Sequence, residues 1–122
     1  MTDFTQLVRD YIDAWNETDE TARTAAVSSL FAPTGRYVDP LADVQGPEQI
    51  AATIGAVQAQ FAGMVFSLHD DVDAHHGQAR FQWGLGPAGA EPLVIGFDVL
   101  LTDADGRIEA VLGFLDRVPA PL

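Results

Sequence analysis

Three side chains in this sequence, Asp98, Asp39 and Tyr11, are of types that transfer protons or donate hydrogen bonds. Asp98 lies within the run Leu93–Leu101, where every other residue is apolar or glycine. An ionised carboxylate buried in such surroundings is costly unless it is paired, so Asp98 either has a partner or stays protonated. An ion pair with Arg80 across the sheet is the alternative to a protonated acid, and the sequence leaves both open.

Asp39 and Tyr11 also have two interpretations each. Asp39 precedes Pro40, which favours an extended conformation at the end of a short strand. Its carboxylate either caps the following turn or acts as a general base. Tyr11 falls in the apolar stripe of a predicted helix, so its ring faces the interior and its hydroxyl needs a partner there. Alone it would be a core tyrosine, but a single site would explain all three residues.

The elements that must position these side chains begin with three helices. Apolar residues recur at helical spacing from Phe4 to Trp15. A second helix is predicted from an N-cap at Thr18 until Pro33 ends it. After a short strand over 35–40 and a polar loop, Gly46-Pro47-Glu48 begins a third helix, which ends at Gly63.

Strands follow the helices. Alternating residues predict strands over 64–69 and 78–85, with a polar turn over 70–77 and a glycine-rich loop over 84–91. The segment 92–117 predicts a hairpin around Asp105-Gly106. Helices first and antiparallel strands later indicate one α+β domain over residues 1–122, in which three N-terminal helices pack on a curved, mostly antiparallel sheet that encloses a pocket.

Composition restricts the possible partners. Six Lys+Arg against 18 Asp+Glu give a net charge of −12, which argues against nucleic acid and against an anionic membrane surface. The chain has no cysteine and no apolar run near the ~20 residues of a membrane span. The first residues lack a signal-peptide pattern, so we expect a cytoplasmic protein. His69, His75 and His76 are expected to be exposed, with no metal site and no cofactor.

The order of these motifs resembles the nuclear transport factor 2-like superfamily over roughly Phe4 to Val118. The motifs are the Asp39-Pro40 turn, the Gly-Pro-Glu-Gln-Ile helix start and the final Asp-Gly-Arg-Ile hairpin. The superfamily includes SnoaL-like polyketide cyclases, ketosteroid isomerases and limonene epoxide hydrolases. The resemblance implies a cone-like fold with a pocket between helices and sheet.

The resemblance to ketosteroid isomerases also implies residue roles. The general base falls on Asp39, and the two oxyanion donors fall on Tyr11 and Asp98. The two tyrosines that support this oxyanion hole are replaced here by Phe31 and Ile54. The expected apolar walls for a small hydrophobic ligand are listed together: Trp15, Phe31, Ile54, Phe66 and Trp83.

Two functions are therefore predicted as alternatives. One is a small cofactor-independent enzyme that uses acid–base chemistry on a hydrophobic carbonyl compound, as an isomerase or a polyketide-type cyclase. The other is a non-catalytic module of the same fold that binds a hydrophobic ligand or a partner. Because both faces of Leu93–Leu101 are apolar while helices can cover only one, we also expect a homodimer through the outer face of the sheet.

Overall fold

The computed structural model describes residues 3–119. The helices are α1 (Phe4–Asn16), α2 (Glu20–Leu30) and α3 (Pro47–Gln60). The strands are β1 (Phe31–Asp39), β2 (Ala42–Gln45), β3 (Met64–Leu68), β4 (Asp73–His75), β5 (Gln78–Pro87), β6 (Val94–Thr102) and β7 (Ile108–Arg117). The helices pack on the sheet, so the predicted α+β fold class is confirmed.

The sheet has the order β2-β1-β7-β6-β5-β3, with β4 paired to one end of β5. All pairings are antiparallel except that of β1 with β7. The predicted hairpin of β6 and β7 is confirmed. Its turn contains Gly106 at a φ of 82°, and the Asp103 carboxylate accepts hydrogen bonds from the Asp105 and Arg107 amides at 2.9 and 3.0 Å.

Helix α1 supplies much of the core and confirms the predicted apolar stripe. Asp3 caps its N-terminus, where the side chain accepts a hydrogen bond from the Gln6 amide at 3.1 Å. The helix buries Val8, Tyr11 and Trp15 against the sheet. Burial of a large apolar side chain is worth roughly 1.5–3 kcal/mol, so this face is what fixes α1 over the sheet.

The limits of α2 differ from the prediction. Its N-cap is Asp19 rather than Thr18, and the Asp19 carboxylate accepts from the Ala22 amide at 2.8 Å. The helix ends at Leu30, and Pro33 lies inside β1 instead of closing the helix. The register of β1 against β7 shifts between Phe31 and Arg36, and such an irregularity tolerates a proline that lacks a ladder donor.

Three predicted connections contain strand. Part of the loop over 41–45 forms β2, and part of the turn over 70–77 forms β4. The predicted loop over 84–91 begins later, because β5 continues to Pro87. A Cβ at Gly84 would lie 2.8 Å from Pro92 Cβ, and a Cβ at Gly86 would lie 3.0 Å from Pro92 Cα. These glycines therefore mark a close approach of two chain segments rather than a loop.

The two faces of the sheet are unequally covered. The inner face of β6 is buried under the helices, while Phe97 and Val99 on its outer face are only half-buried. Next to them on β7, Leu112 is 37% and Phe114 is 59% exposed. The single chain therefore leaves the apolar outer face of this hairpin partly uncovered. Among residues 3–119, no helix is long and apolar enough to cross a membrane.

Candidate active site

A cavity of about 320 Å³ lies between the helices and the inner face of the sheet. Its floor comes from the central strands, and its sides come from α1, the end of α3 and the turn between β1 and β2. Its lining is mostly apolar and aromatic, with two carboxyl groups and two phenol hydroxyls. The lining residues are Tyr11, Ile12, Trp15, Tyr37, Asp39, Leu41, Val57, Gln60, Phe61, Phe66, Trp83, Leu85, Val94, Asp98, Leu115 and Val118.

Asp98 faces this cavity from β6. Residues two apart on a strand share a face, so Gly96 and Asp98 both point inward. Trp83 of β5 is paired with Gly96, and its indole ring occupies the space where a Cβ of Gly96 would stand. A larger residue at position 96 would displace the ring from its place beside Asp98. The Asp98 side chain is nearly enclosed, since the residue is 3% exposed.

The pKa of Asp98 rises from its ordinary value of 3.8 to about 7, chiefly because the side chain is buried and in smaller part because of the nearby Asp39. The Trp83 indole and the Tyr11 hydroxyl oppose this change in pKa, because hydrogen-bond donors favour the ionised carboxylate. An acid with a pKa near neutrality exists in both protonation states at physiological pH. Asp98 is therefore able both to donate and to accept a proton there.

Arg80 does not pair with Asp98. In the β5–β6 register Phe81 lies opposite Asp98, so Arg80 projects to the outer face. There its Nε lies 3.1 Å from Oδ2 of Asp73, and both side chains are more than half exposed. The ion-pair alternative is therefore wrong, and among the described residues Asp98 has no cationic partner.

Asp39 lies at the end of β1, where its carboxylate accepts three hydrogen bonds. Oδ1 accepts from the amides of Leu41 and Ala42, both at 2.8 Å, which caps the turn after Pro40. Oδ2 accepts from the Tyr37 hydroxyl at 2.6 Å. A carboxylate offers about four lone-pair sites, so about one remains for a ligand in the cavity. Asp39 is thus a turn cap and a cavity residue at once.

Tyr37 was not among the residues selected from the sequence. It lies two positions before Asp39 on the same strand, so strand periodicity alone places both side chains on one face. Burial raises its pKa far above the ordinary value, and the neighbouring Tyr11, Asp98 and Asp39 raise it further. Tyr37 is therefore a neutral donor that holds Asp39 in position.

Gly113 separates the two carboxylates. It lies on β7, between β1 and β6, and is paired with Asp98. A Cβ at this position would come within 2.7 Å of Asp98 Oδ1 and 3.4 Å of Asp39 Cβ. The absence of a side chain at this position therefore lets both acids reach the same part of the cavity. The sequence shows this glycine but not the register that makes it important.

Tyr11 and Trp15 approach the site from α1. Burial raises the pKa of Tyr11 well above its ordinary value, and the charge of Asp98 raises it further. The Tyr11 hydroxyl and the Trp15 indole nitrogen are both buried without a hydrogen-bond partner among residues 3–119. The hydroxyl is near enough to influence the pKa of Asp98 but does not reach hydrogen-bond geometry. Buried donors without partners are costly, so a bound ligand with an acceptor oxygen would satisfy them.

The structure brings most of the residues selected from the sequence to one cavity. Asp39, Tyr11 and Asp98 all line it, together with the three aromatic residues Trp15, Phe66 and Trp83. Phe31 and Ile54, which we expected on its walls, are absent from the lining. They are 1% and 0% exposed and pack in the core behind the cavity. Their placement there corrects that part of the prediction.

Comparison with known proteins identifies the family. The model of the SnoaL-like domain matches residues 8–111. A crystal structure of a proposed isomerase of the SnoaL-like family from Agrobacterium tumefaciens is similar at a TM-score of 0.89 and 38% identity, over 95% of this chain and 99% of that chain. Among curated proteins, none matches significantly.

Two further structures share the fold at lower identity. A proposed polyketide cyclase from Sinorhizobium meliloti has a TM-score of 0.68 and 23% identity, over 88% of this chain and 93% of that one. A SnoaL-like protein of unknown function from Burkholderia thailandensis has a TM-score of 0.71 and 18% identity, over 94% and 98% of the two chains. With its matching domain model and its close relative from Agrobacterium, this chain belongs to the SnoaL-like family.

Proposed function

We propose that this protein is an enzyme that uses acid–base chemistry on a small hydrophobic carbonyl compound, as an isomerase or a cyclase. The observation that carries the proposal is the convergence of Asp39 and Asp98 on one apolar cavity across Gly113, with the unpartnered Tyr11 hydroxyl beside them. Proton abstraction next to a carbonyl needs a base on one side and donors for the developing oxyanion on the other. The Agrobacterium relative, a proposed isomerase, is consistent with this class of reaction.

In this proposal Asp39 is the base. Its remaining lone pair accepts a proton from the carbon next to the carbonyl, while the other three hydrogen bonds keep the carboxylate oriented. The Tyr37 hydroxyl holds the oxygen Oδ2 and is a positioning group rather than a catalytic one. The proton is then returned to a different carbon, or the resulting enolate attacks a second carbonyl within the same molecule.

Tyr11 and protonated Asp98 are the oxyanion donors. Both are buried, so the electrostatic interaction with a growing negative charge is stronger than it would be in water. Tyr11 is neutral at any physiological pH because its pKa is raised. With a pKa of about 7, Asp98 is about half protonated at neutrality and mostly protonated below it. Donation therefore weakens as pH rises through that value.

The second candidate is a ligand-binding module with no reaction. The observation that favours it is the hydrogen bonding of Asp39, because a carboxylate that caps a turn and accepts from Tyr37 has a complete structural role without any substrate. In that case the cavity would hold a hydrophobic ligand whose oxygen satisfies the Tyr11 hydroxyl.

Hydrogen exchange in D₂O separates the two candidates without knowledge of the net reaction. Hydrophobic enones and polyketide-like ketones are incubated with the protein, and loss of the proton next to the carbonyl is followed by NMR. If the protein is an enzyme, the exchange rate should fall by ~10²–10⁴-fold in Asp39→Asn, because that is the usual contribution of a general base. Saturable binding of such ketones without exchange would favour the binding module, while equal exchange in Asp39→Asn would remove Asp39 from the mechanism.

The pH profile of the same exchange tests the division of roles. If Asp98 donates, the rate falls as pH rises through about 7, and Asp98→Asn removes this limb. If Asp98 were itself the base, the rate would rise through the same value. An exchange rate that rises with pH in the wild type but not in Asp98→Asn would mean that Asp98 is the base and Asp39 the donor.

A homodimer through the outer face of the sheet also belongs to the proposal. It is supported by an apolar strip on β6 and β7 that the chain itself leaves uncovered, with Phe114 at 59% exposure beside Leu112 and Phe97. Charged pairs flank the strip, as polar rims flank interfaces. Phe114→Glu should convert a dimer into a folded monomer in sedimentation experiments. A wild-type protein that stays monomeric at micromolar concentration would contradict this part of the proposal.

A further inference from the structure

A second opening lies behind the central cavity and contains a buried cation. This cleft, of about 410 Å³, is formed by the end of α1, the start of α2, the second half of α3 and the first residues of β3. Its wall includes Arg23, which is 9% exposed. The other arginines of the described chain are exposed. Arg23 is therefore the one buried cation within residues 3–119.

The guanidinium of Arg23 is held only by neutral acceptors. Its Nη1 donates to the Gln58 side-chain oxygen at 2.8 Å and to the Glu17 carbonyl at 3.2 Å. Gln58 is fixed in turn, since its amide nitrogen donates to the carbonyls of Trp15 and Glu17 at 2.9 and 2.7 Å. No carboxylate among residues 3–119 forms an ion pair with Arg23. A buried charge is ordinarily paired, so this arrangement is incomplete.

One edge of the guanidinium is unused. The Nε atom is buried without a hydrogen-bond partner, and no described residue accepts from Nη2. The Nε–Nη2 edge presents two parallel N–H groups, which match the two oxygens of a carboxylate. This edge, which has no acceptor among the described residues, thus has the geometry for bidentate binding of an anion.

Gly55 makes room for this guanidinium on α3. A Cβ at Gly55 would lie 2.8 Å from Nη2 and 3.3 Å from Cζ of Arg23. Glycine inside a helix lowers helix stability relative to alanine, so its presence at the centre of α3 needs a local reason. The close approach of Arg23 supplies that reason. It fixes the plane of the guanidinium against α3.

We propose that Arg23 and this cleft bind a small molecule that carries a carboxylate. The carboxylate would pair with the Nε–Nη2 edge, and the apolar part of the molecule would contact Phe61 and Met64 on the cleft wall. A phosphate is less suited, because it carries up to two charges at neutral pH while the cleft offers one cation and otherwise neutral polar groups such as Asn16 and Thr18. This site does not depend on the acid–base chemistry of the central cavity.

A structural clamp is the competing explanation for Arg23. The bonds to Gln58 and Glu17 tie α2 to α3 and to the α1–α2 connection, which a clamp would also do. A clamp accounts for Nη1 but leaves the charge uncompensated and Nε without a partner. A bound anion would compensate the charge and give Nε a partner. Anion binding also predicts a saturable response of the Arg23 side chain to carboxylates, which a clamp does not.

The test uses the wild-type protein and benzoate as the probe. Benzoate is titrated while the Nε–Hε signal of Arg23 is followed by NMR, with the exposed Arg80 as internal control. We expect a saturable change of the Arg23 signal and none of comparable size at Arg80. Benzyl alcohol, which has the same ring without the charge, should leave the Arg23 signal in place. An unmoved Arg23 signal with benzoate, or an equal response to benzyl alcohol, would overturn the proposal.

Two variants and a second anion complete the test. Arg23→Gln should weaken benzoate binding at least about tenfold, because hydrogen bonds to charged groups are among the stronger ones, whereas Arg80→Gln should bind as the wild type does. Gly55→Ala keeps the charge but displaces the guanidinium and should also weaken binding. Benzoate bound in the central cavity would survive Arg23→Gln, which would count against the site. Inorganic phosphate that binds more tightly than benzoate at Arg23 would overturn the carboxylate assignment.

Discussion

Replacing Asp98 with asparagine should remove most of the pH dependence of stability between about pH 4 and about pH 7. In the folded protein the pKa of Asp98 rises from its ordinary 3.8 to about 7, chiefly because the residue is buried. Within this window the native state holds a proton that the unfolded state has released. The stabilisation is therefore fully present below the unfolded pKa and is lost as pH rises through the folded one.

The magnitude follows from the two pKa values. A change from 3.8 to about 7 corresponds to roughly 4 kcal/mol of folding free energy, at about 1.4 kcal/mol for each tenfold change in the acid constant. The wild type loses this folding free energy mainly above the unfolded pKa, so about 3 kcal/mol of it is lost as pH rises from about 5 to about 8. Asparagine has nearly the same shape and does not ionise. Asp98→Asn should thus match the wild type in acid and exceed its stability by up to about 4 kcal/mol in mild alkali.

Urea denaturation of both proteins at several pH values measures this difference directly. The control is Asp73→Asn, which removes an exposed partner of Arg80 and should change stability by less than about 1 kcal/mol at every pH. Parallel pH curves for the wild type and Asp98→Asn would show that Asp98 titrates normally in the folded protein. A large loss of stability in Asp98→Asn at neutral pH would show that the native state needs the carboxylate itself. Either result would refute the role of Asp98 as a protonated donor.

Two further predictions concern the groups around this acid. Tyr37→Phe removes the 2.6 Å hydrogen bond to Asp39 and should lower the free energy of unfolding by about 1.5–3 kcal/mol, whereas Tyr11→Phe, whose hydroxyl has no partner, should leave it nearly unchanged. Equal losses in the two variants would contradict the assigned bonding. Gly113→Ala should displace the carboxyl group of Asp98 on β6, and NMR titration should show a changed pKa for Asp98. Gly77→Ala should leave that pKa unchanged, because a Cβ at Gly77 meets only ordinary contacts at 3.5 Å or more. An unchanged titration in Gly113→Ala would mean that the strands shift to accept the methyl group.

The sequence predicts the helices, the final hairpin and the order of elements, because each rests on local periodicity and turn chemistry. The strand β2 was missed because its four residues alternate apolar and polar over too short a run to indicate a strand, and they form one by pairing with β1. Pro33 was misread because a proline after a helical run usually ends the helix, whereas here β1 had already begun. In both places pairing with a distant strand outweighs the local signal.

For the candidate site, the residue types could be read from the sequence but the spatial relations could not. Asp98 was identified because a carboxyl group in an apolar strand violates the usual pattern. Whether it pairs with Arg80 depends on which residues of β5 and β6 lie opposite each other, and that register is fixed by pairing across the sheet. The same limit applies to Gly113, whose meaning appears only when β7 is placed between the two acids.

Five of the positions that break local rules fall into two groups, and each group surrounds one opening in the molecule. A carboxyl group inside an apolar strand and two strand glycines, Gly96 and Gly113, meet at the central cavity, where the glycines admit Trp83 and the two acids. A buried arginine and a helix glycine meet at the cleft behind it. Each such choice lowers stability by itself. Their grouping is the physical reason to expect that a ligand occupies each opening.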